Sequence, residues 1–280
     1  ALVEGHEPLA AELTALSGLA PEEIVQLASV WPRISLQTRE SVLLRATGLA
    51  EDNVDLDFSE LARLGLHDTE ARVRRRAIDA LWESLDRTTG RRLVQLLCDD
   101  PDEQVRAAAA AALGRFVLQR EFEAFPRHDG DELVNALRAV VDDVSQPVDV
   151  RAGALESLGF RSLPWVDTAI NDAYYADDRR LRLAAITAMG RSAQEKWIEY
   201  LADDARSDDP EFRFCAAHAL GALGSEDGVD ALAELLGDED SEVLLAALAA
   251  LGEIGGEEAV QLLREVAQDP PAELEEAVQA

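Results

Sequence analysis

Arg115, Arg161 and Arg191 each stand one or two residues after a glycine that closes a recurrent phrase, with Phe116, Phe160 and Trp82 close by in the chain. A guanidinium presents a planar fork of donors that fits a carboxylate or a phosphate, and a neighbouring ring gives it a face to lie on. These six residues therefore form a candidate edge for an acidic or phosphorylated peptide. The competing reading is that each arginine rests on the carbonyls at a helix end.

Other chemistry is thinly supplied. The four histidines, His6, His67, His128 and His218, are scattered, with no His-x-x-His or His-Glu-x-x-His spacing, so no metal centre is expected. Gly221-Ala222-Leu223-Gly224 and Gly252-Glu253-Ile254-Gly255-Gly256 are not followed by Gly-Lys-Ser and do not read as phosphate loops. Cys215 has His218 within reach on a helix face, but it stands in a row of small packing residues. No catalytic residue and no cofactor are expected.

Composition narrows the partners. A net charge of −30 repels nucleic acid and anionic membrane surfaces, and the longest apolar run, Val243 to Leu251, is too short to span a bilayer. Lys196 is the sole lysine among 26 basic residues, which fits either coding bias toward arginine or an acidic surface suited to high salt. Cys98 and Cys215 read as reduced core residues, and the opening ALVEGHEPLA shows no charged leader before an apolar stretch; together they point to a cytoplasmic protein.

The elements that carry these residues are helices. Apolar residues recur at three- and four-residue spacing between Asp, Pro and Gly, without sustained alternation. One phrase recurs: Arg74-Ala77-Leu81, Arg106-Ala109-Leu113-Gly114, Arg151-Ala154-Leu158-Gly159, Arg182-Ala185-Met189-Gly190, Arg213-Ala216-Leu220-Gly221 and, without arginine, Leu244-Ala247-Leu251-Gly252. The steps of 32, 45, 31, 31 and 31 residues are a structural period of stacked helix pairs. Small residues around the phrase alanine admit close helix contact, and the glycine is expected to end the helix or turn the chain. Asp102, Asp178, Asp209 and Asp240, four residues before the arginine position, read as helix caps. The 45-residue step places an insertion near residues 117 to 130, expected as a lengthened helix and an excursion loop.

The aromatic group Trp165, Tyr174, Tyr175, Trp197 and Tyr200 falls in two successive intervening helices, as core filling or as a ligand groove. A row five residues after the arginine, Asp79, Ala111, Glu156, Thr187, His218 and Ala249, is mixed in character and reads as open surface.

The phrase resembles the HEAT repeat family, in particular the bacterial and archaeal HEAT-like units that share a profile with phycobilisome lyase subunits. The resemblance is strong over residues 68 to 268 and weak over 19 to 66, where Arg39, Val42 and Ala46 echo the phrase. It implies an all-α, right-handed α-α superhelix, a HEAT-like solenoid of about seven to eight helix pairs. The expected organisation is a single solenoid over 1–280, with divergent units in 1–66, regular repeats in 67–268 and a cap or tail in 269–280. It also implies that phrase-bearing helices line the concave face and that turn aspartates bond repeat arginines along the stack. Here that ladder would run through Asp68 and Arg74, Asp100 or Asp102 and Arg106, Asp178 and Arg182, and Asp209 and Arg213, with Arg151 in the same register and a break at Leu244.

Deoxyhypusine hydroxylase, a HEAT-like iron enzyme, carries several His-Glu pairs; here the sole such pair is His6-Glu7, so that activity is not expected. The resulting expectation is a non-catalytic interaction or assembly scaffold that binds a protein or peptide on the concave surface or its edge. The alternative is a lyase or cofactor-attachment enzyme related to bilin lyases, with nucleic-acid binding a more distant third.

Overall fold

The computed structural model describes residues 10–268, and His6 and the expected terminal cap at 269–280 lie outside them. The described chain is helical without strands, in the superhelical all-α class. Its helices fall into two compact units that divide between Ala154 and Leu155.

The first unit holds α1 (Ala10–Thr14), α2 (Pro21–Val30), α3 (Leu36–Asp52), α4 (Ser59–Gly65), α5 (Ala71–Asp79), α6 (Arg87–Asp99), α7 (Glu103–Ala112), α8 (Gly114–Glu121), α9 (Arg127–Asp142) and the start of α10 (Val148–Leu158). Phrase-bearing helices α3, α5 and α7 pack side by side, and intervening helices α4 and α6 cover them. The core between the layers is made of Val42, Leu43, Leu61, Val73, Ala77 and Leu81, each at most 1% exposed. In the insertion, α8 runs on to Glu121 and α9 begins at Arg127, so the expected loop shrinks to a short turn with Glu123 at φ 56°. Phe125 then folds back edge-on against Phe116, centroids 5.4 Å apart, which seals the joint.

The second unit holds the end of α10, then α11 (Pro164–Tyr174), α12 (Arg179–Arg191), α13 (Ile198–Asp204), α14 (Pro210–Leu223), α15 (Val229–Glu234), α16 (Ser241–Ile254) and α17 (Gly256–Gln268). Phrase helices α12, α14 and α16 again lie side by side. Asp102, Asp178, Asp209 and Asp240 each accept from amides of their helix's first turn and cap it.

Gly159 follows the last residue of α10 and Gly190 is the penultimate residue of α12, at or near the expected helix end, and both glycines also have a second task. Gly190 lies inside α12, and a Cβ there would stand 2.6 Å from the Ala219 Cα of the next phrase helix; at Gly159 the corresponding approach to Ala188 Cα is 2.7 Å. Two backbones meet where no side chain fits, and the small residues opposite are the other half of that contact. In α14 the helix runs past Gly221 and the chain turns at Gly224, with φ 66°.

Candidate functional site

The phrase arginines form a partial ladder, in which Arg39, Arg74 and Arg213 reach forward to the turn of the following unit. The carboxylate of Asp68 accepts from Arg39 Nη1 at 2.6 Å and from Trp31 Nε1 at 2.6 Å. Arg74 grips Asp100 through Nε and Nη2, both at 2.7 Å, while its Nη1 donates to the carbonyls of Asp68 and Thr69 behind it. Arg213 grips Asp238 at 2.6 and 2.8 Å and donates backward to the Ser207 carbonyl at 2.9 Å. Asp238 also accepts from the Asp240 amide, so one carboxylate shapes its own turn and anchors the preceding helix. The grip holds the Asp238 carboxyl below the ordinary carboxylate range and raises the Arg213 guanidinium, chiefly through the bond between them.

This corrects the expected pairing in two respects. Asp102, Asp178 and Asp209 are caps rather than rungs for Arg106, Arg182 and Arg213. Asp238 has an arginine after all, so the break at Leu244 falls one unit further on.

Rungs end on aspartates six residues before the phrase position: Asp68, Asp100 and Asp238. At the same register the middle units have Ser145, Ala176 and Ser207. There the arginines lose the bidentate grip. Arg106 Nη1 donates to the Asp100 carbonyl at 2.9 Å, but its buried Nε has no acceptor among the described residues. Arg151 Nε reaches the Val141 carbonyl at 3.4 Å. Arg182 lies over the rings of Phe212 and Tyr174, at 4.7 and 5.8 Å, and comes no closer than 3.8 Å to Asp204. Asp204 is nearly buried and its carboxyl is pushed up by that burial, with one oxygen unpartnered among the described residues.

The edge suggested by Arg115, Arg161 and Arg191 is largely used internally. Arg115 donates from Nε to the Ser84 carbonyl at 3.0 Å and lies 5.1 Å from the Phe116 ring; burial pushes its guanidinium down to about 10. Arg191 repeats the device, with Nη1 on the Glu156 carbonyl at 2.9 Å, the Phe160 ring 5.1 Å away, and a guanidinium lowered by burial. Arg161 is half-buried just past Leu158. Phe116 is fully buried and therefore belongs to the core, which removes it from any binding edge; Phe160 is half-buried, and Trp82 is 46% exposed.

Three other places carry chemistry. The row five residues after the arginine is open: Asp79, Ala111, His218 and Ala249 are exposed, with Glu156 and Thr187 half-buried. In the second unit Phe214 and His218 stack edge-on at 4.5 Å on α14, and Leu245 on α16 is 43% exposed. In the first unit Arg72 and Arg75 of α5 are exposed.

On the intervening side of the second unit, Asp167, Asn171, Lys196, Trp197 and Tyr200 line a cleft of about 320 Å³. Lys196 lies 4.8 Å from the Trp197 ring and pairs with Asp167 at 2.6 Å. Tyr174, Tyr175 and Tyr200 meet edge-on beside it, while Trp197 is buried, so the aromatic group fills core and also lines a cleft.

The third place is one the sequence reading missed. His128, Asp129 and Glu132 open α9 with ligand atoms within 4.8 Å of one another, a His-Asp-x-x-Glu spacing on one helical turn. Arg87 and Arg91 both pair with Asp129, so two positive charges occupy the ground that a cation would need. Of the cysteines, Cys98 is exposed rather than in the core, and Cys215 is half-buried with its thiol pushed up to about 11 by burial.

A family profile described as HEAT repeats matches residues 60–159, 166–243 and 205–280, and the chain belongs to that family. Among solved structures it is similar to the CpcE–CpcF complex of phycocyanin lyase from Nostoc, with a TM-score of 0.61, 21% identity, and coverage of 89% of this chain and 94% of that one. Human deoxyhypusine hydroxylase aligns at a TM-score of 0.37 and 20% identity over 92% of this chain and 94% of the other. A search of curated proteins finds no match. No described helix is long and apolar enough to cross a membrane.

Proposed function

We propose that the chain is a non-catalytic protein-binding module, an assembly scaffold that holds a partner protein or peptide on the outward side of its phrase-bearing helices. One observation carries this reading: the repeated residues are used up in rungs, caps and backbone contacts, while the rows beside them lie open on adjacent helices. Within each unit such rows continue from one repeat to the next, which is the kind of surface repeat arrays offer a partner. Membership of the HEAT family agrees with a role in interaction.

Site-specific photocrosslinking tests the reading. A crosslinker in place of Arg75 or Leu245 should capture a partner protein in native cells, whereas one in place of Gln95 on α6 or Glu199 on α13 should not. Capture confined to the α6 and α13 positions would overturn the assignment of the surface. Transfer of a bilin by the purified protein to an acceptor cysteine would overturn the non-catalytic part.

A further inference from the structure

The net charge is −30, yet residues 71 to 92 contain seven arginines against three carboxylates. Most of these arginines have work inside the unit. On α6, Arg87 and Arg91 hold Asp129, and Arg92 donates to the Leu66 carbonyl at 2.9 Å. On α5, Arg74 is the rung to Asp100, and Arg76 lies between Glu40 and Asp79 at 4.0 and 3.7 Å.

Arg72 and Arg75 differ from these. They are three residues apart, and so on one side of α5, and both are exposed. Arg75 donates to the neutral Gln104 amide oxygen of α7 at 2.9 Å, and Arg72 has no ion pair among the described residues. The flanks mix apolar, small and acidic residues: Leu44 on α3 is 52% exposed, α7 continues from Gln104 through a run of alanines with Ala111 exposed, and the two nearby carboxylates, Glu40 and Asp79, are the ones that face Arg76. Beyond Glu103, α7 has no carboxylate.

We infer that the face formed by α3, α5 and α7 binds an Asp/Glu-rich peptide segment, with Arg72 and Arg75 as the residues that take its carboxylates. The inference rests on the protein-binding reading and names the partner's chemistry on one part of that surface. Neither guanidinium is in an ion pair among the described residues, although Asp79 one turn along α5 feels the charge of Arg75; both keep donors for a bidentate contact, and the alanines of α7 let a peptide backbone come close. A nucleic acid shares the negative charge, but it extends past this small patch into the acidic remainder of the molecule, where its phosphates are repelled. A short peptide need not leave the patch.

Fluorescence anisotropy tests this with a short labelled peptide of alternating glutamate and alanine, its glutamine counterpart and a single-stranded oligothymidylate. The glutamate peptide should bind, with affinity that falls as salt rises, and the glutamine peptide should bind far more weakly. Arg72→Ser with Arg75→Ser should weaken the glutamate peptide by about tenfold, given two exposed charge contacts, whereas Arg264→Ser, which removes an equal charge from α17, should not. Both arginines are exposed, so the melting temperature should hold; Arg75→Lys should retain part of the affinity. Unchanged affinity in the double variant, or oligothymidylate binding as tight as the glutamate peptide, would overturn the inference. If it fails while a partner still crosslinks at Leu245, the protein-binding reading stands without this site; if neither Arg75 nor Leu245 crosslinks, that reading falls as well.

Discussion

Two arginines in the second unit occupy the same place in the phrase and meet opposite surroundings. Arg213 is gripped by Asp238 through two short bonds, and that carboxyl is held low. Arg182 leans on two rings and stays 3.8 Å from Asp204, whose carboxyl is pushed up by burial. The cause is one residue: Ser207 stands where Asp238 stands one repeat later. A rung therefore depends on the turn aspartate of the following unit, and without it the same guanidinium finds aromatic faces instead.

The comparison can be broken in graded steps. Asp238→Ala should be the most damaging, because it strands a mostly buried guanidinium and frees the turn amide of Asp240; the expected loss is about 2 to 3 kcal/mol in urea unfolding. Supplying the missing rung by Ser207→Asp should stabilise the protein by about 1 kcal/mol, with Arg182 leaving its rings for the new carboxylate. A neutral or destabilising result there would show that register alone does not make a rung.

Asp204→Asn should raise stability at pH 7 by about 0.5 to 1 kcal/mol, since burial disfavours the charged carboxylate and an amide oxygen still accepts from Tyr174. The sign follows from the raised carboxyl: ionisation of Asp204 costs the folded state, so the gain should vanish as pH falls below the ordinary value of 3.8. Asp238 runs the other way. Its contribution is present above 3.8 and is lost as pH falls through its lowered value, so acid unfolding of Asp238→Ala should lack a step that the parent protein shows.

The helices, the caps and the repeat were legible because spacing and side-chain type determine them locally: Asp102 and Asp178 sit where first-turn amides need an acceptor, and the 31-residue step identifies stacked pairs. The pairing of rungs was not. Arg74 has Asp68 six residues behind it and Asp100 26 residues ahead, and only the stack decides that it takes the carboxylate of one and the carbonyl of the other. The helix end at Gly190 was legible to within a residue, but its close approach to Ala219 was not, because a glycine after an apolar helix serves equally as a stop or as a place for backbone contact. Arg115 and Arg191 looked like surface anchors, since a sequence does not say whether a long side chain projects or lies back on a carbonyl. The open α5 face was overlooked because a chain-wide charge of −30 hides a local excess of arginine.

The central claim is that a repeated arginine holds the stack where the turn of the following unit supplies an aspartate, which leaves binding to other residues. A double-mutant cycle on Arg213 and Asp238, set beside one on Arg182 and Asp204, tests it most directly. The first should show a coupling of about 2 kcal/mol and the second one of less than about 0.5 kcal/mol, consistent with a bidentate, part-buried pair against a long one whose arginine is 41% exposed. Equal couplings in the two cycles, or no coupling between Arg213 and Asp238, would contradict the account.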